Sequence, residues 1–195
     1  MQPIWEPQLI IPDLEDFCLQ IGMGKNGRLF FRSGLTARQY FGRLIVHNLL
    51  PDAIRFQAHT LAKRNAVWWA CLCLRSVNDA MAKPKQAEAL KAVLRWVMEP
   101  SEANRLAAGA AGKAATFLTP IGCIAMSIFW SGGGHDPLLT ANTLSVSLAA
   151  LATEGDPTKI QDNMKRFLAL GISIANRKYL RAPDAEDERR TAQRR

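Results

Sequence analysis

Three histidines, four cysteines and one glycine-rich hexamer are the groups in this 195-residue chain that could carry chemistry. Gly22-Met23-Gly24-Lys25-Asn26-Gly27 matches G-x-G-x-x-G letter for letter. A dinucleotide site needs a strand before that motif and a helix opening directly after it, so that backbone amides meet a pyrophosphate. Here a helical pattern precedes it and Arg28-Leu29-Phe30-Phe31 follows, so the hexamer reads as a turn with no cofactor role. His47 and His59 fall on separate expected helices, and neither HxxxH nor HExxH spacing occurs. His135 follows three glycines beside Asp136, in an exposed loop. Cys71 and Cys73 sit about 200° apart around a helix, so they cannot grip one metal or bond to each other. The cysteines all have apolar neighbours, which fits small core residues in a reducing cytoplasm. No G-x-S-x-G elbow and no placed pair of acids is present. The expectation is a chain without catalytic residues, cofactor or metal. An enzyme would need a polar pocket lined by groups such as His135, Arg75 or Arg105.

Aromatic residues say more. Trp68 and Trp69 point about 100° apart on a helix, so one can enter the core while the other sits at a seam. Phe129-Trp130 stands directly before Ser131-Gly132-Gly133-Gly134, a bulky pair beside a glycine loop. A tryptophan at a helix end suits a binding anchor. Trp69, Arg75, Arg105, Phe129, Trp130, Gly132 and His135 are therefore the candidate protein-binding residues.

The composition, 48% hydrophobic and 22% charged, supports one globular core. The formal net charge of +8 would suit nucleic acid, an anionic membrane surface or an acidic protein. Its cations are dispersed, without a run of five, which argues against a dedicated nucleic-acid arm. The N-terminal MQPIWEPQLIIPDLED lacks the basic start of a secretory signal. The apolar stretch Ala114–Trp130 is interrupted by Pro120 and reads as a buried helix, not a membrane span.

The elements that must position these residues are helical. Residues 1–12, with three prolines, read as an extended arm. Leu14, Phe17, Cys18 and Ile21 recur at helical spacing. Residues 28–35 read as a linker, with a strand possible at Arg28–Arg32. Thr36 is expected to cap a helix from Ala37 to about Asn48, with Tyr40, Phe41, Leu44, Ile45 and Asn48 on one face. Pro51 opens the next helix, and a turn is expected around Lys63-Arg64-Asn65. Helices then follow over Ala66 to about Met81, Lys85–Met98, Pro100 to Ala115, Ala114–Trp130, Pro137 to about Thr153 and Thr158 to about Lys178. Pro84 and the pair Gly155-Asp156 mark breaks. The alanine-rich helix offers small residues for close packing. The fold class is all-α: a single domain of about eight helices over residues 13–179, as a bundle or short stacked hairpins. Residues 180–195 carry five arginines and four acids with few apolar groups, and read as a disordered tail.

Four segments together resemble a known family: Ala66-Val67-Trp68-Trp69-Ala70-Cys71-Leu72-Cys73; Trp96-Val97 with Pro100-Ser101-Glu102-Ala103-Asn104-Arg105; Phe129-Trp130-Ser131-Gly132-Gly133; and Phe167-Leu168-Ala169-Leu170-Gly171-Ile172-Ser173-Ile174-Ala175. They look like an uncharacterised all-helical bacterial family, a domain of unknown function, over roughly residues 36–176. The resemblance implies a place among type VI secretion genes, near spike, tip or cargo-adaptor proteins. It thus implies a cytoplasmic adaptor or chaperone whose partner is a secretion cargo or tip component. It assigns no catalytic residue. Gly134-His135-Asp136-Pro137 stands where the family tends toward a longer proline-rich loop. An immunity-type protein neutralising a toxin, and a basic nucleic-acid-binding regulator, are the alternatives.

Overall fold

The Asp13 carboxylate accepts the Glu15 and Asp16 backbone N–H groups and so starts α1 (Leu14–Gln20), which buries Leu14 and Cys18. A computed structural model describes residues 13–77 and 83–176; the expected arm at 1–12 and tail at 180–195 lie outside the described residues. After Gly22, in the left-handed region at φ +66°, the chain enters α2 (Lys25–Leu29). The expected linker or strand at Arg28–Arg32 is therefore partly helix. Its start is fixed from outside: the Gly24 N–H donates to Asp52 Oδ1 at 3.0 Å. A Cβ on Gly24 or Gly27 would lie 2.9 or 2.7 Å from that carboxylate, so the motif glycines admit an internal anion.

Thr36 caps α3 (Ala37–Val46) in a complete capping box with Gln39. Tyr40, Phe41 and Leu44 face inward as expected, but Asn48 does not. It adopts φ +57° and ends the helix, where an amide side chain tolerates the left-handed turn. α4 (Leu50–Thr60) carries Pro51 in its first turn. Lys63-Arg64-Asn65, expected as a turn, instead begins α5 (Lys63–Val77). Arg64 explains the shift: its guanidinium donates to the carbonyls of Val97 at 2.6 Å and Met98 at 3.2 Å. Those groups are the open C-terminal end of α6 (Pro84–Met98), so a cation there suits the helix dipole. The expected stretch of α5 out to Met81 falls outside the described residues.

Ser101 caps α7 (Glu102–Ala115). The apolar run Ala114–Trp130 is not one helix. Thr116 takes φ +66° and ends α7; Thr119 then caps α8 (Pro120–Phe129), with Pro120 in its first turn. α9 (Leu139–Ala152) and α10 (Ile160–Ala175) follow, with a 3-10 turn at Pro157–Lys159 between them. The last helix thus starts two residues after Thr158 and ends at Ala175. Ten α-helices are present among the described residues, against about eight expected, and they pack as a single all-α domain.

The core forms around α5, α8 and α9. Trp69 is fully buried and its indole N–H donates to the Phe167 carbonyl at 2.7 Å, tying α5 to α10. α9 is buried on most sides, and its hydroxyls find carbonyls on α8: Thr140 bonds Ser127 O and Ser147 bonds Pro120 O. α7 and α8 pack at glycine. An added Cβ on Gly109 would lie 2.5 Å from the Phe129 ring, and one on Gly112 2.9 Å from Ala125 Cβ. The small-residue packing expected of α7 is observed.

Among the described residues, three side chains, Gln57, Trp68 and Asn176, carry buried polar atoms without a hydrogen-bond partner, and Gln57 is the one with two. The Gln57 amide on α4 is fully buried and neither of its polar atoms has a hydrogen bond. It rests against Gly171 of α10, where a Cβ would come within 2.5 Å. Such a group costs about 1–3 kcal/mol. Gln57→Met, similar in volume, raises stability by about 1–2 kcal/mol in urea unfolding; equal or lower stability contradicts the assignment. Gly122→Ala has the opposite sign. Its Cβ would lie 1.9 Å from the Thr116 carbonyl, a backbone atom that cannot swing aside. The variant loses about 3 kcal/mol or more, read as a lowered melting temperature.

Candidate protein-binding surface

Arg105 organises the end of α8. The residue is 7% exposed. Nε and Nη2 donate to the two Glu102 carboxylate oxygens, each at 2.7 Å, a forked pair one helical turn long. Those bonds hold the Glu102 carboxyl below its usual range. Nη1 donates to the Phe129 carbonyl, an open group at the C-terminal end of α8. The guanidinium carbon lies 5.1 Å from the Phe129 ring centroid, and Lys113 Nζ lies 5.4 Å from it.

The glycine loop wraps this cation. A Cβ on Gly132 would sit 3.2 Å from Arg105 Cδ, and one on Gly133, at φ +70°, 3.2 Å from Nη2. Lys63 donates to the Ser131 carbonyl at 3.0 Å, so α5 holds the same turn from another side. His135 returns over Phe129 with ring centroids 5.5 Å apart. Arg105, distant in sequence from Phe129, Gly132 and His135, thus forms one cluster with them.

Outward of the cluster is an aromatic edge. Trp130 is half-buried and meets Phe117 in a T-shaped contact at 5.6 Å. Phe117 is 50% exposed and Leu118 is 95% exposed. Both belong to the turn between α7 and α8. They were concealed in the sequence because Ala114–Trp130 reads as one apolar helix. The Thr119-Pro120 pair, a cap followed by a first-turn proline, was the signal that breaks it.

Two candidates lie elsewhere. Trp69, expected at a surface, is a core residue; Trp68, its neighbour, takes the half-buried seam position. Arg75 is exposed in the last turn of α5 and makes none of these contacts. Trp96 is also core.

His59 lines a separate small cleft of about 130 Å³ with Phe17, Leu61, Lys63, Leu138 and Thr140. Its Nε2 lies 3.1 Å from Asn142 Oδ1, and no carboxylate lines the cleft. Burial lowers its pKa, and Arg55 pushes the same way, against the Asn142 hydrogen bond. All four cysteines are buried thiols. Burial alone pushes Cys71 up to about 12, and Cys73 also lies well above the ordinary value. Among the described residues no group of three His, Cys, Asp or Glu side chains could hold a metal ion.

Ten helices, a core closed over its thiols and an aromatic edge along the α7–α8 hairpin define an all-helical domain whose candidate site is a surface. The chain belongs to a family of unknown function, DUF6931, whose model matches residues 40–175. That stretch runs from inside α3 to the end of α10 and includes the Arg105 cluster and the aromatic edge. No curated protein and no solved structure matches the chain. No helix among the described residues is long and apolar enough to cross a membrane.

His59 gives a pH test of the packing. The folded state disfavours its protonation, whereas the unfolded imidazole titrates near about 6.5. Its contribution is complete above that pH and is lost as pH falls from there toward the depressed folded value. The slope is at most about 1.4 kcal/mol per pH unit. Stability measured between neutral and mildly acidic pH falls in the wild type and is flatter in His59→Gln. Identical slopes in the two proteins contradict the assignment.

Proposed function

We propose that this chain is a non-catalytic binding protein that docks a partner protein on the aromatic edge formed by Phe117, Leu118 and Trp130. One observation carries the reading. Leu118, at 95% exposure, is the most exposed large apolar side chain among the described residues, and it follows Phe117, whose ring meets Trp130, on a turn fixed by the Thr119 cap and the Cys123 thiol bonded to the Phe117 carbonyl. A rigid apolar anchor loses little conformational freedom on binding, and aromatic residues dominate binding energy in such surfaces. His135 and Gly132 belong to the support and rim rather than to chemistry. The sequence resemblance to a family encoded among type VI secretion genes suggests the partner: a cargo or tip component, held by this chain as adaptor or chaperone.

The test places a photo-crosslinker at position 118 in the native host and identifies what it captures. A secretion component is expected. Its affinity for purified protein falls at least about thirtyfold in Leu118→Asp and in Trp130→Ala, as for hot-spot residues. A secretion component that binds both variants as tightly as wild type overturns the proposed surface. A toxin captured at the same position, and neutralised by this chain, replaces the adaptor reading with an immunity protein.

A further inference from the structure

The segment from Phe17 to Pro51 contains five cations, Lys25, Arg28, Arg32, Arg38 and Arg43, and no aspartate or glutamate. It folds into α2 and α3, which are fastened together. The Tyr40 hydroxyl donates to the Gly27 carbonyl at 3.0 Å, and the rings of Phe30 and His47 stack at 4.0 Å. Leu29 and Val46 immediately precede the two stacked residues, so their exposed side chains belong to the same corner. They are 67% and 81% exposed.

The helical period gives the outer face of α3. Tyr40, Phe41 and Leu44 point inward. At about 100° per residue, Val46 falls opposite their mean direction, with Arg38 on one flank and Arg43 on the other. Arg28 lies next to Leu29 in α2, and Arg32 folds back to donate to the Leu29 and Phe31 carbonyls at 2.8 and 2.6 Å. None of the five cations forms an ion pair within the described residues. Asp52, the acid that approaches α2, is turned onto the Gly24 N–H. The result is a cationic surface, its one adjoining acid already bonded to a backbone N–H, with two bare aliphatic side chains in it.

We propose that this α2–α3 surface docks on an anionic phospholipid bilayer. The arginines meet headgroup phosphates, and Leu29 and Val46 enter the boundary of the acyl region. Both halves of the chemistry are needed. Cations near an anionic leaflet attract additively, and exposed aliphatic side chains gain by leaving water. A nucleic acid would use the arginines but offers no apolar layer for Leu29 and Val46. It would also want open rings for stacking, whereas Phe30 is already covered by His47. The site is independent of the aromatic edge: α3 packs on α4, whereas α8 packs on α5, α6, α7 and α9.

The experiment is co-sedimentation of the whole chain with vesicles of phosphatidylcholine mixed with phosphatidylserine, beside pure phosphatidylcholine vesicles and a DNA duplex. Binding is expected to the mixed vesicles alone and to weaken with salt. Arg28→Gln with Arg38→Gln reduces it about twentyfold, from about fivefold per cation. Leu29→Ser with Val46→Ser reduces it about tenfold. All four side chains are exposed, and unchanged melting curves confirm that the variants fold. No binding to the mixed vesicles at low salt overturns the proposal. So does vesicle binding that ignores the aliphatic double variant, or duplex binding at least as tight as vesicle binding.

Discussion

The close approach of α7 to α8 is the constraint on which the candidate surface depends. Gly109 and Gly112 remove the side chains that would hold the helices apart, and Gly122 lets the start of α8 pass against the Thr116 carbonyl. Because the axes are close, Phe129 packs directly on Gly109 and its carbonyl comes within reach of Arg105, three residues from the start of α7. The guanidinium then serves three masters at once: the Glu102 carboxylate, the carbonyl end of α8 and the face of an aromatic ring. A bulkier residue at 109 would separate the helices and take the Phe129 carbonyl and ring from that cation, leaving it the Glu102 pair within α7.

The same economy recurs elsewhere. Groups that look reactive in isolation are consumed by the fold. The glycine hexamer binds an anion, but the anion is Asp52 from the first turn of α4. Arg64 closes the end of α6, Trp69 satisfies a carbonyl of α10, and the hydroxyls of α9 bond α8 at both its ends. The thiols are buried beyond easy ionisation. Gln57 is the conspicuous exception, a buried amide facing a glycine with nothing to bond. It sits where α4 meets α10, so its cost falls on an interface that joins the two ends of the family domain.

Helices and their caps were legible because their signals are local. Thr36 with Gln39, and Pro51 at a first turn, need nothing beyond their own segment. The features that sequence does not carry are non-local. Arg64 reads as a turn residue in sequence, since its reason for being helical lies 33 residues away at Val97. α2 is short, and its N-terminus is completed by Asp52, 28 residues from Gly24. Trp68 and Trp69 could be separated only by knowing where α10 packs. Of the candidate site, Arg105, Phe129, Gly132 and His135 were each visible as residues, but nothing in their spacing showed that one arginine joins them. Phe117 and Leu118 were hidden by the apolar run in which they lie.

The two surfaces differ in their relation to the family match. The aromatic edge lies wholly inside residues 40–175, and it is built on the closely packed α7 and α8. The cationic corner straddles the boundary. Val46 and Arg43 lie within the matched stretch, while Lys25, Arg28, Leu29, Arg32 and Arg38 precede it. The inner half of that corner is therefore fixed by α3 packing on α4, and the outer half is supplied by α2, held on by the Tyr40 hydroxyl and the Phe30–His47 stack. Charge can be added to such a corner without disturbing the core, because Lys25, Arg28 and Arg38 are exposed and none of its five cations forms an ion pair within the described residues. The proposed protein-binding surface therefore rests on packing inside the matched stretch, while the proposed membrane surface draws most of its charge from outside it.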